Sequence, residues 1–169
     1  MKATLIVEGK EFPIEIHDPE LQKLLKPQKK TGYEKANKCE TYYTISCDDC
    51  ITDGIESNGN VNRELYDCAN YYSDKTIAEN NARADKLMRQ LRRFAVEHRN
   101  DQLYWAREYC NAKWSIIYDY KNKRLRSDKN WDLRVAFTIY FDSEEAAQLA
   151  IDTFHDELIW YFTEYKDSL

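Results

Sequence analysis

The sequence predicts an α+β protein built from two β-β-α units, with an N-terminal β-hairpin and a short helix before them. Two junctions carry this prediction, at residues 70–78 and 139–147. Each places an aromatic pair at the end of a strand, then small polar residues, then a long helical run. Each also follows an aromatic-rich strand, at residues 41–45 and 113–118. Asp and Ser are preferred helix N-caps, so both junctions predict a strand that passes directly into a helix.

The N-terminal hairpin is predicted by alternation. Apolar residues recur at every second position, at Leu5 and Val7 and again at Phe12, Ile14 and Ile16, and Gly9-Lys10 supplies a two-residue turn between them. Pro13 has no backbone N–H, so its strand is expected at a sheet edge.

A short helix and a linker are expected next. Asp18 is a good N-cap, and Pro19 suits the first helical position, so a helix begins here and ends by Pro27. Residues 1–27 therefore form the N-terminal segment. Residues 28–40 are polar and Lys-rich, which predicts a linker.

The first β-β-α unit is assigned to residues 41–100. Its hairpin tip is expected at the turn dipeptides Asp53-Gly54 and Asn58-Gly59. Its helix carries an apolar stripe at helical spacing, which predicts one buried face: Ile77, Ala84, Met88, Leu91 and Ala95, with Leu87 and Phe94 beside them.

The second unit is assigned to residues 101–169. A strand is expected to place Val135, Phe137, Ile139 and Phe141 on one face. Asp142 then caps the closing helix, with Glu145 three residues later in the capping-box arrangement. That helix is expected to run unbroken along a broad apolar stripe: Ala147, Ala150, Ile151, Phe154, Leu158, Tyr161, Phe162 and Tyr165.

Composition excludes several classes of protein. The four glycines, at positions 9, 32, 54 and 59, are too far apart for a phosphate loop, a dinucleotide fingerprint or a nucleophile elbow. No apolar run reaches the roughly 20 residues that span a membrane, and the N-terminus lacks a signal-peptide core. The five cysteines are an odd number, which argues against a secreted disulfide framework. We therefore expect a cytoplasmic protein with no membrane association and no cofactor.

Charge is divided along the chain. Residues 83–134 have a net charge of +7 and residues 135–169 a net charge of −7, within a chain of net charge −5. The basic segment supplies candidate nucleic-acid-binding residues on a helix stripe and a hairpin, with aromatic side chains between them: Arg83, Lys86, Arg89, Arg93, Lys121, Lys123, Arg124 and Arg126. The acidic segment supplies candidate protein-binding residues off the apolar stripe of the last helix: Glu144, Glu145, Asp152, Asp156, Glu157 and Glu164.

These two sets lead to two hypotheses. A row of carboxylates can dock on a basic cleft of a host protein, with fast, long-range association. A basic, aromatic surface can instead bind nucleic acid directly, with an affinity that falls steeply as salt rises. Each set can also be an ordinary solvated face, so the two hypotheses stay open at this point.

The hypotheses of an enzyme or a metal-binding protein rest on fewer residues than the two binding hypotheses. Asp152 and His155 lie one helical turn apart and could face one ligand. Cys47 and Cys50 form a CxxC motif, with Cys39 and Cys68 as further candidate zinc ligands; Asp48 and Asp49 between the pair would raise the thiol pKa values. Structural zinc sites usually bring two such pairs and this chain has one, so a hairpin loop that contains cysteines is the preferred interpretation. We therefore assign no catalytic residue and no metal ligand.

One resemblance adds context. The run Tyr66-Asp67-Cys68-Ala69-Asn70-Tyr71-Tyr72-Ser73 leading into the Arg-rich helix, and the ending 138–147 with its closing helix, resemble small proteins encoded by phages and prophages of Gram-positive bacteria. The resemblance covers residues 41–165. It implies an accessory protein that binds and inhibits a host protein. Such host proteins include defence nucleases, for example CRISPR effectors.

Overall fold

The computed structural model describes residues 2–7, 10–21, 30–99, 112–131 and 135–166 of the chain. It has the predicted α+β class, with helices and antiparallel sheets. The chain divides into two compact units, Met1–Thr31 and Gly32–Leu169.

The first unit is a hairpin followed by a helical turn. Strands β1 (Lys2–Val7) and β2 (Lys10–Glu15) pair antiparallel, with Val7 opposite Lys10. Lys10, which the sequence placed in the turn with Gly9, instead begins β2, so this part of the prediction is wrong; Glu8 and Gly9 lie outside the described residues. The backbone is helical at 19–21, where the Asp18 carboxylate accepts hydrogen bonds from the Glu20 and Leu21 N–H groups at 2.8 and 3.1 Å. Asp18 therefore caps this turn as the sequence predicts.

The second unit begins with residues 32–40 of the predicted polar linker, which are hydrogen-bonded to the rest of that unit. The Gly32 carbonyl accepts a hydrogen bond from the Ser73 N–H at 2.8 Å, and the Cys39 N–H donates to the Glu56 carbonyl at 2.8 Å. The Ala36 N–H donates to the Tyr71 hydroxyl at 3.2 Å.

The first hairpin of this unit joins β3 (Thr41–Ile45) and β4 (Ile51–Ile55). Its turn lies at 46–50, on the CxxC motif, so the prediction of a tip at Asp53-Gly54 and Asn58-Gly59 is wrong. Gly54 lies within β4, where a Cβ atom would stand 2.6 Å from the Tyr42 ring. The glycine is therefore needed for close packing against Tyr42. A short helix that the sequence reading missed, α1 (Asn60–Asp67), follows Gly59.

Helix α2 (Lys75–Glu97) connects two cores. Near its start, Ile77 and Ala78 pack with Tyr72 against the first hairpin. Farther along, Leu87 and Leu91 pack into a second, larger core with Phe141, Ala146, Ala147, Ala150 and Leu158. At 1.5 Å per residue its 23 residues span about 34 Å, which is long enough to serve both.

The second sheet has the order β6-β5-β7, formed by β5 (Lys113–Asp119), β6 (Arg124–Asn130) and β7 (Tyr140–Phe141). The predicted long strand through Val135 and Phe137 is wrong, since only its last two residues pair with β5. Val135 instead begins a turn: its N–H donates to the Tyr140 hydroxyl at 2.7 Å, and Phe137 has a φ of 62°.

The closing helix is two helices, α3 (Glu144–Thr153) and α4 (His155–Thr163), broken at Phe154. The Thr153 hydroxyl donates to the Leu149 carbonyl at 2.7 Å, a bond that tends to bend helices. The Phe154 ring packs edge-on against Phe94, with ring centroids 5.6 Å apart. The sequence prediction of one unbroken helix is therefore wrong.

The two predicted strand-to-helix junctions share a pattern of strand pairing and helix capping. Tyr72 pairs with Tyr43 of β3, and Phe141 pairs with Trp114 of β5, each as a third strand position beside a hairpin. Asp74 then caps α2 by accepting from the Ile77 N–H at 3.1 Å. Ser143 caps α3 in the equivalent position, accepting from the Ala146 N–H at 3.1 Å.

The predicted cap at Asp142 is therefore displaced by one residue. The Asp142 carboxylate instead pairs with Lys113, whose side chain is 2% exposed, and lies 3.9 Å from the Arg99 guanidinium. Asp142, which the local pattern assigned as the helix cap, therefore forms a long-range ion pair instead.

Candidate functional surfaces

Arg83 and Glu157, which the sequence assigned to opposite candidate sites, bind each other. The Arg83 guanidinium donates to both Glu157 carboxylate oxygens, at 2.8 and 3.0 Å. It also lies over the Trp160 ring, 4.0 Å from the ring centroid. The hydrogen bond from Arg83 lowers the pKa of Glu157, and the same bond raises that of Arg83. This contact ties α2 to α4.

Three more cations of the predicted basic set have acidic neighbours. Arg89 pairs with Asp49 in the turn of the first hairpin. Arg93 lies 3.7 Å from Glu97, one turn farther along α2, and Arg126 lies 2.9 Å from an Asp128 oxygen. The α2 stripe is consequently not a continuous row of uncompensated positive charge.

The rest of the basic set is at the surface. Lys86 is exposed on α2, and Lys121, Lys123 and Arg124 are exposed at the turn between β5 and β6. Within the described ranges, none of these four forms an ion pair or a side-chain hydrogen bond. The structure thus separates the predicted basic set into paired arginines on α2 and β6, an unpaired Lys86 on α2, and an unpaired group at one turn.

The acidic residues of α3 share one open groove. We define the acidic α3 face as the residues that line this groove: Glu144, Glu145, Gln148, Leu149 and Asp152. The Glu145 N–H and the Ser143 hydroxyl lower the pKa of the Glu145 carboxyl, so it is ionised near neutral pH. The Asp152 carboxylate accepts from the Gln148 amide at 3.0 Å. All three carboxylates are exposed.

Leu149 lies among these carboxylates with 47% of its surface exposed. The sequence reading missed it as a site residue. Its signal was present, because Leu149 lies off the apolar stripe that buries Ala146, Ala147, Ala150 and Ile151. An apolar side chain on an otherwise charged helix face is the feature to look for.

The acidic residues of α4 are arranged differently. The Asp156 side chain is fully exposed and lies 3.0 Å from His155. Glu157 is held by Arg83 as described, and Glu164 is exposed at the C-terminal end of the helix. Asp156 and Glu164 therefore stay at the surface, while Glu157 serves the fold.

The residues proposed for enzymatic chemistry have other contacts. His155 faces Asp156, and Asp152 faces Gln148. His98 stacks on Phe94, with ring centroids 3.9 Å apart. These arrangements give no base, nucleophile and orienting group in mutual hydrogen-bond reach among the residues named.

The cysteines of the CxxC motif form the turn of the first hairpin. Cys47 and Cys50 are exposed thiols, and the Asp48 side chain raises the pKa of Cys50, which keeps that thiol protonated. Cys39 and Cys68 are also exposed, and they lie outside this turn. Across the described ranges, no group of three or more His, Cys, Asp or Glu residues is placed to hold a metal ion.

Comparisons with known proteins identify no relative of this chain. The chain matches no family model, no curated protein and no solved structure. Among the described helices, none has both the length and the apolar character needed to cross a lipid bilayer.

Proposed function

We propose that this chain is a non-enzymatic binding protein whose acidic α3 face docks on a basic surface of a host protein and blocks it. The observation that carries the proposal is the contrast between the two predicted sites. Four of the arginines and lysines proposed as a nucleic-acid surface have acidic neighbours within the fold. The α3 carboxylates instead remain exposed around a half-exposed Leu149.

An apolar centre within a polar rim is the usual organisation of a protein–protein interface. Fully burying a leucine contributes about 1.5–3 kcal/mol, so covering the exposed half of Leu149 contributes about 1 kcal/mol. The carboxylates around it add long-range attraction to a basic partner and favour fast association. The α3 face therefore supplies both an anchor and a steering field.

The charge of the face indicates the class of partner. Basic clefts are characteristic of proteins that handle nucleic acid, since such clefts must neutralise phosphates. The resemblance to phage and prophage proteins directs the proposal to a bacterial host, acting in its cytoplasm. We therefore propose as the partner a nucleic-acid-handling defence complex, for example a CRISPR effector.

The test is a comparative capture experiment from a nuclease-treated bacterial lysate, with proteins quantified by mass spectrometry. The test variant neutralises the face by Glu144→Gln, Glu145→Gln and Asp152→Asn. A control removes equal charge from exposed residues elsewhere, by Asp53→Asn, Glu64→Gln and Asp67→Asn. We expect a basic, nucleic-acid-handling protein to be retained by the wild type and the control and lost with the test variant.

Stability must be separated from binding in this test. Glu144 and Glu145 lie in the first turn of α3, where acidic side chains stabilise a helix by about 0.3–1 kcal/mol each. Leu149→Ala therefore serves as a second variant, because it leaves the charge and the cap unchanged. We expect it to weaken partner binding about fivefold while the melting temperature changes little. If capture by both variants equals that of the wild type, the α3 face is not the interface.

Inhibition is a further part of the proposal and has its own readout. The purified chain is added to the captured protein, and the nuclease or nucleic-acid-binding activity of that protein is measured. We expect the activity to fall with the wild type and the control and to persist with the α3 variant. Unchanged activity on stoichiometric binding would show that the chain adheres without inhibiting.

A further inference from the structure

The turn between β5 and β6 is fixed by one carboxylate. Asp119 accepts hydrogen bonds from the N–H groups of Lys121 and Asn122, both at 3.1 Å, and from the Asn122 side-chain amide at 2.6 Å. The hydrogen bond from Asn122 lowers the pKa of Asp119, so this acceptor is ionised at neutral pH. Lys123 closes the turn with a φ of 51°. The residues at the tip therefore project from a fixed backbone.

This tip is strongly basic. Lys121, Lys123 and Arg124 are exposed, and within the described chain none has an ion-pair partner within 4 Å. Asp119, which lies opposite Arg124 across the ladder, holds the turn and also interacts with the Arg124 charge, though not within ion-pair distance. Three cations within four residues form a local positive site on a chain of net charge −5.

An exposed aromatic ring stands beside these cations. Tyr120 has 70% of its surface exposed, yet its hydroxyl donates to the Phe162 carbonyl of α4 at 3.0 Å. Its ring also meets Tyr118 edge-on, with centroids 5.0 Å apart. The ring is therefore held in one orientation while most of it faces solvent. An aromatic platform fixed in this way can receive a base with little further loss of conformational entropy.

We propose that this basic turn, defined as Tyr120, Lys121, Lys123 and Arg124, binds the backbone and a base of single-stranded nucleic acid. The cations neutralise phosphates, and Tyr120 stacks on an unpaired base. A duplex would contact only the cations, because its bases are already stacked on one another. An acidic protein surface would neutralise the cations but would present no unpaired base to stack on Tyr120. This binding is separate from the acidic α3 face and does not depend on a protein partner.

The test is a fluorescence anisotropy titration of the full chain with a labelled oligothymidylate of about 12 nucleotides, starting near 20 mM salt. With three phosphate contacts, the logarithm of the affinity should fall with the logarithm of the salt concentration with a slope of about −2. The triple change Lys121→Gln, Lys123→Gln and Arg124→Gln should abolish most of that slope. The control, Lys35→Gln, Lys38→Gln and Arg63→Gln, removes equal charge from exposed residues elsewhere and should retain it.

Tyr120 is tested by a matched pair of variants. Tyr120→Ala should weaken binding about 5- to 100-fold, which is the range for loss of one stacked base. Tyr120→Phe keeps the ring and should retain most of the affinity. A duplex of equal length should bind more weakly than the single strand.

Five results would overturn the proposal. Four are no binding near 20 mM salt, equal loss in the control triple, no effect of Tyr120→Ala, or duplex binding as tight as the single strand, which would identify a general phosphate-binding turn. The fifth is displacement of the oligonucleotide by an acidic peptide at a lower concentration than unlabelled single strand requires, which would identify a protein site. None of these results bears on the α3 proposal, whose test uses different variants and a protein partner.

Discussion

The contact between Arg83, Glu157 and Trp160 should stabilise the fold, and its removal gives the sharpest test of the charge assignments. Both charged side chains are more than two-fifths exposed, so solvent screening limits their ion pair to about 0.2–1 kcal/mol. The guanidinium over the Trp160 ring adds about 0.5–1 kcal/mol. We therefore expect Arg83→Ala to lower the free energy of unfolding by about 1–1.5 kcal/mol, or the melting temperature by about 2–6 °C.

The assay is urea unfolding followed by circular dichroism, applied to a double-mutant cycle of Arg83→Ala and Glu157→Ala. The coupling energy isolates the ion pair from the other losses and should be about 0.5 kcal/mol. Arg83→Lys is the matched control for charge. It keeps the positive charge but loses the bidentate, planar contact, so it should be nearly as unstable as Arg83→Ala.

Two conditions separate the parts of this contact. Salt near 1 M should remove most of the coupling to Glu157 but leave the stabilisation by Trp160, because screening acts on the ion pair. The folded-state pKa of Glu157 is lowered from about 4.5. Its contribution is therefore present above pH 4.5 and is lost as pH falls through the lowered value, a dependence that Arg83→Ala should largely remove, since the Lys86 charge lowers the same pKa to a smaller extent. A coupling energy near zero at low salt would refute the structural role and return Glu157 to the candidate interface.

Three further predictions concern the fold. Tyr71→Phe should lower the free energy of unfolding in urea by about 1–3 kcal/mol, because the buried Glu56 carboxylate loses a hydroxyl donor at 2.7 Å. Burial, together with Glu56, raises the pKa of Tyr71 above 10. The wild type should therefore lose stability as pH rises beyond 10, while Tyr71→Phe should not show this loss. Gly54→Ala should cost about 1–3 kcal/mol through the clash with Tyr42, and a melting temperature equal to the wild type would contradict that packing. Phe137→Gly should leave the free energy of unfolding unchanged or raise it by up to about 1 kcal/mol in the same assay. The reason is that the side chain is 98% exposed and its φ of 62° strains a non-glycine residue. A clear decrease in the free energy of unfolding would show that Phe137 packs in solution.

Local patterns predicted the parts of the fold that depend on neighbouring residues. The pairing of β1 with β2, the helix cap at Asp74 and the buried stripe of α2 follow from alternation, capping chemistry and helical spacing. The likeness of the two strand-to-helix junctions is local too. Strand end, cap and first turn involve few consecutive residues, and the strand pairing and the cap are of the same kind in both places.

Long-range contacts decided the rest. Asp142 has the chemistry of an N-cap, but Lys113, distant in sequence, draws its carboxylate away, and Ser143 becomes the cap. Likewise Arg83 and Glu157 are 74 positions apart, so no window of sequence could place them together. The candidate binding residues were therefore predicted less well than the fold, because a charged residue is available for binding only when the fold has not already paired it.

The most direct measurement of the central claim is the affinity of the purified, captured partner for three forms of the chain over a range of salt concentrations. These are the wild type, the neutralised α3 variant and the variant changed at Asp53, Glu64 and Asp67. We predict that wild type and control bind tightly and weaken alike as salt rises, while the α3 variant binds at least tenfold more weakly with a shallower salt dependence. Equal affinities and equal salt dependences for all three forms would contradict the claim.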